Sequence, residues 1–421
     1  MEGIVDGMNR RAFLGAGALT IVGSSLVRGT QANSAVRVGL LGCGGRGTAD
    51  ATSMVENAGA HVVALADLFE DRLEKGHKYF NELAAKNGYG PINPALLFKG
   101  PTACEQIVAS KEIDAIVIAT PPYFHPQHLN AVVEAGKHVY CEKPVAVDVP
   151  GAKHVLEIGK KAEGRLSLEV GFQIRHAPPF VELVKRIHAG ALGEIAFGEA
   201  HYDCPFLDMG HQGVPPAQAR IRNWLYDRVL SGDIIVEQNI HAIDICNWVL
   251  QGHPVKAIGV GGRKGRTETG NSYGHCSVTF TYPNDAHLNF SSKQFGKGGF
   301  DVAENFFGTR GNASAPYSGF LGITGDEPWE WKDSSKKQDA SFSASGTFSD
   351  NLAQADSEKH KSFIGSITSG KFHNQAALGV ESSLSAMLGR TAMYTGREVS
   401  WDELMRSKEV WEAHLDLNKL V

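Results

Sequence analysis

From Val36 onward, short uninterrupted apolar runs alternate with stretches whose apolar residues recur every three or four positions. Val36–Leu41 is one such run and leads into glycines, which predicts a buried strand followed by a tight turn. His61–Ala66 predicts a second strand that closes at Asp67. Across residues 69–87, Leu73, Phe80, Leu83 and Ala84 share one face of a helix that Gly88 stops. Ala115–Ala119 and His138–Cys141 predict two more strands, separated by a helix that carries Leu129, Val132 and Val133 and ends at Gly136. Strand and helix alternating in this way make βαβ units, and therefore a parallel sheet covered on both faces.

The pattern changes near Ser167. Ile195–Asp203, Val255–Gly261, His275–Tyr282 and Ala286–Phe295 alternate apolar and polar residues, which predicts a mostly antiparallel sheet. Two glycine- and serine-rich stretches, residues 262–274 and 334–356, read as loops, the second long enough for a lid or a disordered insert. The stretch "ALGVESSLSAMLGRTAMYTGREVSWDEL" reads as one helix with Leu384, Met387, Leu388 and Ala392 facing inward. The expected fold is α/β: a Rossmann dinucleotide-binding domain over residues 35–157, then an α+β domain over 158–421.

With 421 residues, 42% hydrophobic and 21% charged, the chain is long enough for a large core. A formal net charge of -5 argues against nucleic acid or an anionic membrane as partner. Six cysteines, at 43, 104, 141, 204, 246 and 276, show no metal-ligand spacing and read as buried thiols. The segment beginning "MNRRAFLGAGAL" at Met8 differs from the rest. Arg10 and Arg11 precede Phe13 and Leu14, an apolar run too short to span a bilayer follows, and Thr30-Gln31-Ala32 offers a small-residue cleavage site. These residues resemble a twin-arginine (Tat) signal over roughly residues 1–32, within a leader and linker of residues 1–34. A disordered basic leader is the alternative. The Tat reading implies a bacterial protein that folds inside the cell, engages the Tat translocase and reaches the periplasm already folded.

Gly42-Cys43-Gly44-Gly45-Arg46-Gly47 is a GxGxxG turn placed after a strand and opening a helix. The first glycine allows the turn, the second admits pyrophosphate to the helix N-terminus, and the third lets helix pack on strand. Asp67, followed by Leu68, closes the next strand, where a carboxylate holds both ribose hydroxyls and repels a 2′-phosphate. NAD is therefore favoured over NADP, with Arg46 and Arg72 set against that preference. Thr120-Pro121 with His125, and Glu142-Lys143-Pro144, lie at the carboxyl ends of later strands, where ligands bind in such sheets.

In "SGDIIVEQNIHAIDICNWVL", read as a helix, Glu237, His241, Asp244 and Trp248 fall on one face of an otherwise apolar element. A polar stripe there is costly unless paired or facing a site. It suits a base with an orienting carboxylate. A His-xx-Asp pair also suits a metal, but no further ligands stand out and none is expected.

The glycine turn, "TPPYFH", "EKP" and the acid-xxx-His-xx-Asp helix together resemble the glucose–fructose oxidoreductase/inositol dehydrogenase/MocA (Gfo/Idh/MocA) family over essentially everything after the leader. The resemblance implies a large open sheet in the second domain and a homo-oligomer, dimer or tetramer. It assigns the catalytic lysine to Lys143 and the catalytic histidine to His241; Glu237 stands where the family has Asp. Gln173, in "GFQIRH", occupies a polar position near the nicotinamide. Arg175 and His176 either face the substrate or tie the domains together, and Tyr202, Arg222 and Trp224 are looser candidates for a sugar pocket.

Those residues suit hydride transfer between a secondary alcohol and nicotinamide, with His241 as base, Asp244 or Glu237 holding it, and Lys143 stabilising the alkoxide. An exported enzyme has no free NAD pool, so the cofactor is expected to be tightly bound. The favoured reading is an NAD(H)-dependent sugar, glycoside or polyol oxidoreductase. A redox-neutral NAD-dependent glycoside hydrolase is the runner-up, and a non-catalytic carbohydrate-binding protein is the contrasting class.

Overall fold

The structure, a computed structural model, describes residues 35–210, 213–267, 270–332, 341–343 and 346–421. The Tat reading of residues 1–34 lies outside the described residues.

Six strands form the first sheet: β1 (Arg37–Leu41), β2 (His61–Asp67), β3 (Leu97–Lys99), β4 (Ala115–Ile118), β5 (His138–Cys141) and β6 (Leu168–Val170). All pair in parallel, in the order β3-β2-β1-β4-β5-β6. The order reverses at β1, so the loops leaving β1 and β4 diverge and open a crevice at their carboxyl ends. Helices cover both faces, and Val38, Leu40, Ile116, Val117 and Ile118 accordingly have no exposed surface. β6 lies beyond the expected division at residue 157. Its three residues are too few to show a period in the sequence.

The second sheet is built from β7 (Ile195–Cys204), β8 (Lys256–Gly262), β9 (His275–Thr281), β10 (His287–Gln294), β11 (Asp301–Gly308), β12 (Gly311–Pro316), β13 (Gly322–Gly325) and β14 (Trp329–Glu330). Within the stretch expected to be a loop, β15 (Ser341–Ser343) and β16 (Gly346–Phe348) pair antiparallel as a separate two-stranded sheet. A ninth strand, β17 (Val399–Ser400), completes the order β14-β13-β12-β11-β7-β10-β9-β8-β17. Among the described residues of this sheet, only β7 and β10 pair in parallel. Along β10, Leu288, Phe290 and Ser292 turn inward while His287, Asn289 and Ser291 face out. Helices Ile240–Leu250 and Ala376–Thr395 pack on the sheet. The single long helix expected near the end is corrected to a helix, β17 and a short helix Trp401–Met405. Gly396, at φ 67° in the left-handed region, ends the first of these.

The glycine turn fixes where β1, the following helix Gly45–Ala58 and β4 meet. Gly42 adopts φ 100°, and a Cβ on Gly47 would lie 2.3 Å from the Gly42 carbonyl oxygen and 2.9 Å from the Ala119 Cβ. Gly47→Ala must therefore push the helix off the sheet. The expected outcome is a loss of about 1–3 kcal/mol in denaturant unfolding, together with weaker dinucleotide binding by titration.

Candidate active site

Two adjoining open cavities run along the carboxyl end of the first sheet and share Ala119, Thr120 and Trp224 in their walls. Gly42, Gly44, Asp67, Leu68, Arg72 and Pro121 line the first. A Cβ on Gly44 would meet nothing within 4 Å, so this glycine opens space at the N-terminus of helix Gly45–Ala58, whose first turn carries no acid. That is a fitting cradle for pyrophosphate. Cys43 contributes its backbone; its thiol is buried, and its N–H donates to Asp67 Oδ2 at 2.8 Å. Asp67 Oδ1 accepts from the Phe69 N–H at 2.9 Å, which leaves each oxygen further lone pairs for ribose hydroxyls. Burial raises the Asp67 pKa, and these two bonds oppose that shift.

The second cavity brings together Lys143, Glu237, His241, Gln173, Tyr202 and Trp224. The expected continuous helix is broken here: helices Ile234–Glu237 and Ile240–Leu250 are separated by Gln238 and Asn239. The His241 N–H turns to the Gln238 carbonyl at 3.5 Å. The Glu237 carbonyl is thereby free to accept from Lys143 Nζ at 2.5 Å, and the Glu237 carboxylate accepts from the same ammonium at 2.8 Å. His125 sits between the carbonyls of Thr120 (2.8 Å) and Pro144 (2.7 Å), and its neutral ring donates to one of them according to its tautomer.

Several candidate residues lie elsewhere than expected. Asp244 does not hold His241: it accepts from Arg175 at 2.8 and 3.0 Å and from Ser382 Oγ at 2.6 Å. Among the described residues, His241 Nδ1 has no hydrogen-bond partner. Arg175 is correspondingly turned away from the substrate cavity and stacks over Trp248. His176 pairs with Glu169 instead. Arg46 lines the second cavity rather than the one that holds Asp67, binding Asp50 at 2.8 Å, Glu142 at 3.0 Å and Asp356 at 2.9 and 3.0 Å. Buried carboxylates are costly without a cation, and Arg46, with Lys359 at 2.8 Å from Asp356, supplies it. Glu142, which also accepts from the Tyr140 hydroxyl at 2.8 Å, is therefore a structural part of the cavity wall with a pKa held below the usual range despite burial. Arg222 belongs to the first cavity: it pairs with Asp71 and lies 3.8 Å over the Phe69 ring. Reading along the chain missed His128, Gln238 and Leu417, which line the two cavities from distant segments and carry no local motif. Among the described residues, no group of three or more His, Cys, Asp or Glu side chains is placed to hold a metal ion.

Residues 36–170 match the family model described as "Oxidoreductase family, NAD-binding Rossmann fold", and residues 180–314 match "GFO/IDH/MocA C-terminal domain". Together they span well over half of the protein, which belongs to the Gfo/Idh/MocA family. An inositol 2-dehydrogenase of Rhizobium meliloti (strain 1021) is 29% identical over 220 residues, covering 52% of this chain and 56% of that protein. One from Corynebacterium glutamicum (strain R) is 31% identical over 165 residues, 39% of this chain and 44% of that protein. The chain thus spans about half the length of the curated relatives it matches. Scyllo-inositol dehydrogenase from Lactobacillus casei, solved with NAD(H) and scyllo-inositol, superposes with a TM-score of 0.63 at 17% identity, over 87% of this chain and 99% of that one. A levoglucosan dehydrogenase complex with NADH and levoglucosan gives 0.65 at 17% identity, over the same shares, 87% and 99%. At that identity these structures share the fold.

Burial pushes His125, His138, His241 and His360 below the ordinary imidazole pKa, and His128 down to about 3. At His241 the charge of Lys143 adds to the desolvation. The unfolded chain binds these protons near pH 6.5 and the folded chain does not, so below that pH the unfolded state holds more protons. Stability should fall as pH drops below about 6.5. Glu142, Glu169 and Asp356, with folded pKa values below the usual range, add a further loss below about pH 4. Denaturant midpoints measured from about pH 8 to 5 should decline at the acid end; a flat profile counts against neutral buried imidazoles.

Proposed function

We propose that the protein is an NAD(H)-dependent oxidoreductase acting on a secondary hydroxyl of a sugar, glycoside or polyol, with a tightly bound cofactor. One observation carries this reading. A glycine turn and ribose-binding carboxylate line one end of a cleft whose other end carries Lys143, Glu237 and His241. When bound, the nicotinamide accepts or returns hydride.

The remaining chemistry falls to the chain. Backbone groups of Gly42 and Gly44, with Asp67, Leu68, Arg72, Thr120 and Pro121, hold the dinucleotide. His241, neutral because it is desolvated beside a cation, is in the form that takes a hydroxyl proton. Lys143 donates to the oxygen as negative charge develops there. Glu237 aims Lys143 through both its carboxylate and its carbonyl. Gln173, Tyr202 and Trp224 line the space for the substrate. The Asp67 carboxylate favours NAD over NADP.

The inositol dehydrogenase names of the relatives support a polyol substrate and net oxidoreduction over the hydrolytic scheme. The twin-arginine leader fits export of a loaded holoenzyme to the periplasm. Exposed Phe197, Ile258 and Val260 on the second sheet fit a homo-oligomer contact.

Lys143→Ala should lower kcat by ~10²–10⁴-fold while bound NAD, measured after denaturation, stays near the wild-type level. Loss of cofactor along with turnover would make Lys143 a binding residue. Asp67→Ala should weaken NAD and narrow its advantage over NADP in paired titrations. An unchanged preference would sink the role given to that carboxylate.

A further inference from the structure

The first cavity is walled on one side by residues that the dinucleotide-binding sheet does not supply. Ile221, Arg222 and Trp224 come from the second half of the chain, and Leu417 comes from its last five residues. We propose that segment 216–230 and the C-terminal residues 411–420 form a strap that retains the dinucleotide, with Arg222 and Leu417 as cofactor-binding residues. The inference rests on the reading of this cavity as a dinucleotide site.

The strap has an apolar cluster of its own, apart from the main core. Phe69, Ile221, Leu230, Ala413 and Leu420 are buried in it, and Leu68, Phe124, Trp224, Leu415 and Leu417 are among the residues that pack against them. The cluster thus joins the loops that follow β2 and β4 to the end of the chain. Polar contacts run the same way. Gln218 Nε2 donates to the Leu420 carbonyl at 2.8 Å, and Gln218 Oε1 accepts from Arg222 Nε at 2.8 Å. Arg222 then donates to Asp71 Oδ2 at 3.0 Å and stacks on Phe69, two residues past Asp67. Upstream, the Trp411 N–H donates to Asp148 Oδ2 at 2.8 Å, and Arg390 lies 3.8 Å over the Trp411 ring.

Leu417 and Leu415 are both partly exposed, but of the two only Leu417 lines the cavity, in a wall that includes Leu68, Phe69, Pro101 and Phe124. Leu417 and the Arg222 guanidinium, which lies 3.8 Å over Phe69, would hold an apolar, aromatic part of a dinucleotide bound in this cavity. Exchange of the cofactor then requires the strap to lift, which slows release without changing the proton-handling groups at the other end of the cleft.

The test is the release rate of NADH from full-length holoenzyme, followed by nicotinamide fluorescence after mixing with excess NAD. Leu417→Ala removes the proposed contact. Gln218→Ala unties the Leu420 carbonyl and frees Arg222 from one of its restraints, while leaving the Leu417 side chain in place. Each should release NADH about tenfold faster or more, and Leu417→Met should restore slow release. Release within about twofold of wild type in both folded variants overturns the strap. Should Leu417→Ala fail to fold, Gln218→Ala decides alone. A wild-type protein that binds no NADH overturns the dinucleotide reading itself, an outcome distinct from unchanged release.

Discussion

Lys143 is fixed by a gap in a helix. A continuous helix through residues 234–250 would spend the Glu237 carbonyl on the His241 N–H. The interruption at Gln238 and Asn239 hands that oxygen to the Lys143 ammonium, which the Glu237 side chain also holds. One residue thus supplies two acceptors, a backbone dipole and a charge, to a cation arriving from the end of β5. The contact ties the end of β5 to the helix that carries Glu237, on the wall of the cavity that His241 also lines. A cationic donor and a neutral acceptor of protons on one wall are what alcohol oxidation and ketone reduction need.

Beneath that wall lies a cluster of buried charge, Arg46, Asp50, Glu142, Asp356 and Lys359, with the His360 ring hydrogen-bonded to Asp50 at 3.1 Å. Burying any of these alone would be strongly destabilising, and their mutual pairing offsets the desolvation. The cluster ties the helix after the glycine turn to helix Ala355–Ser369. It also orients Glu142, whose backbone leads into Lys143. The fold therefore couples the dinucleotide turn, the lysine and the C-terminal half through ion pairs that the cleft itself does not consume.

The parts of the site written in contiguous residues were legible in the sequence. Gly42 through Gly47, Asp67 and Lys143 owe their positions to a strand, a turn and the end of a strand, each visible as a local pattern. The Glu237–His241 spacing was legible as chemistry but not as geometry, because periodicity assumes an unbroken helix. Asp244 shows the cost of that assumption: its partner is Arg175, not His241, and nothing near Asp244 in the chain announces Arg175. Arg46 and Arg222 were misplaced for the same reason, since Asp356 and Asp71, which capture them, are distant in sequence. The short β6 and the break at Gly396 were hidden by brevity and by a helical pattern that continues across the glycine.

The most direct test is a single-turnover experiment with holoenzyme carrying NAD and a polyol deuterated at its secondary carbinol carbons. Transfer of deuterium to the bound nicotinamide, lost in His241→Asn while the cofactor remains in place, is the expected result. A loaded protein that transfers no label from any of a panel of inositols, sugars and glycosides, or one whose transfer is untouched by His241→Asn, would show that the cleft does not carry out hydride transfer by this arrangement.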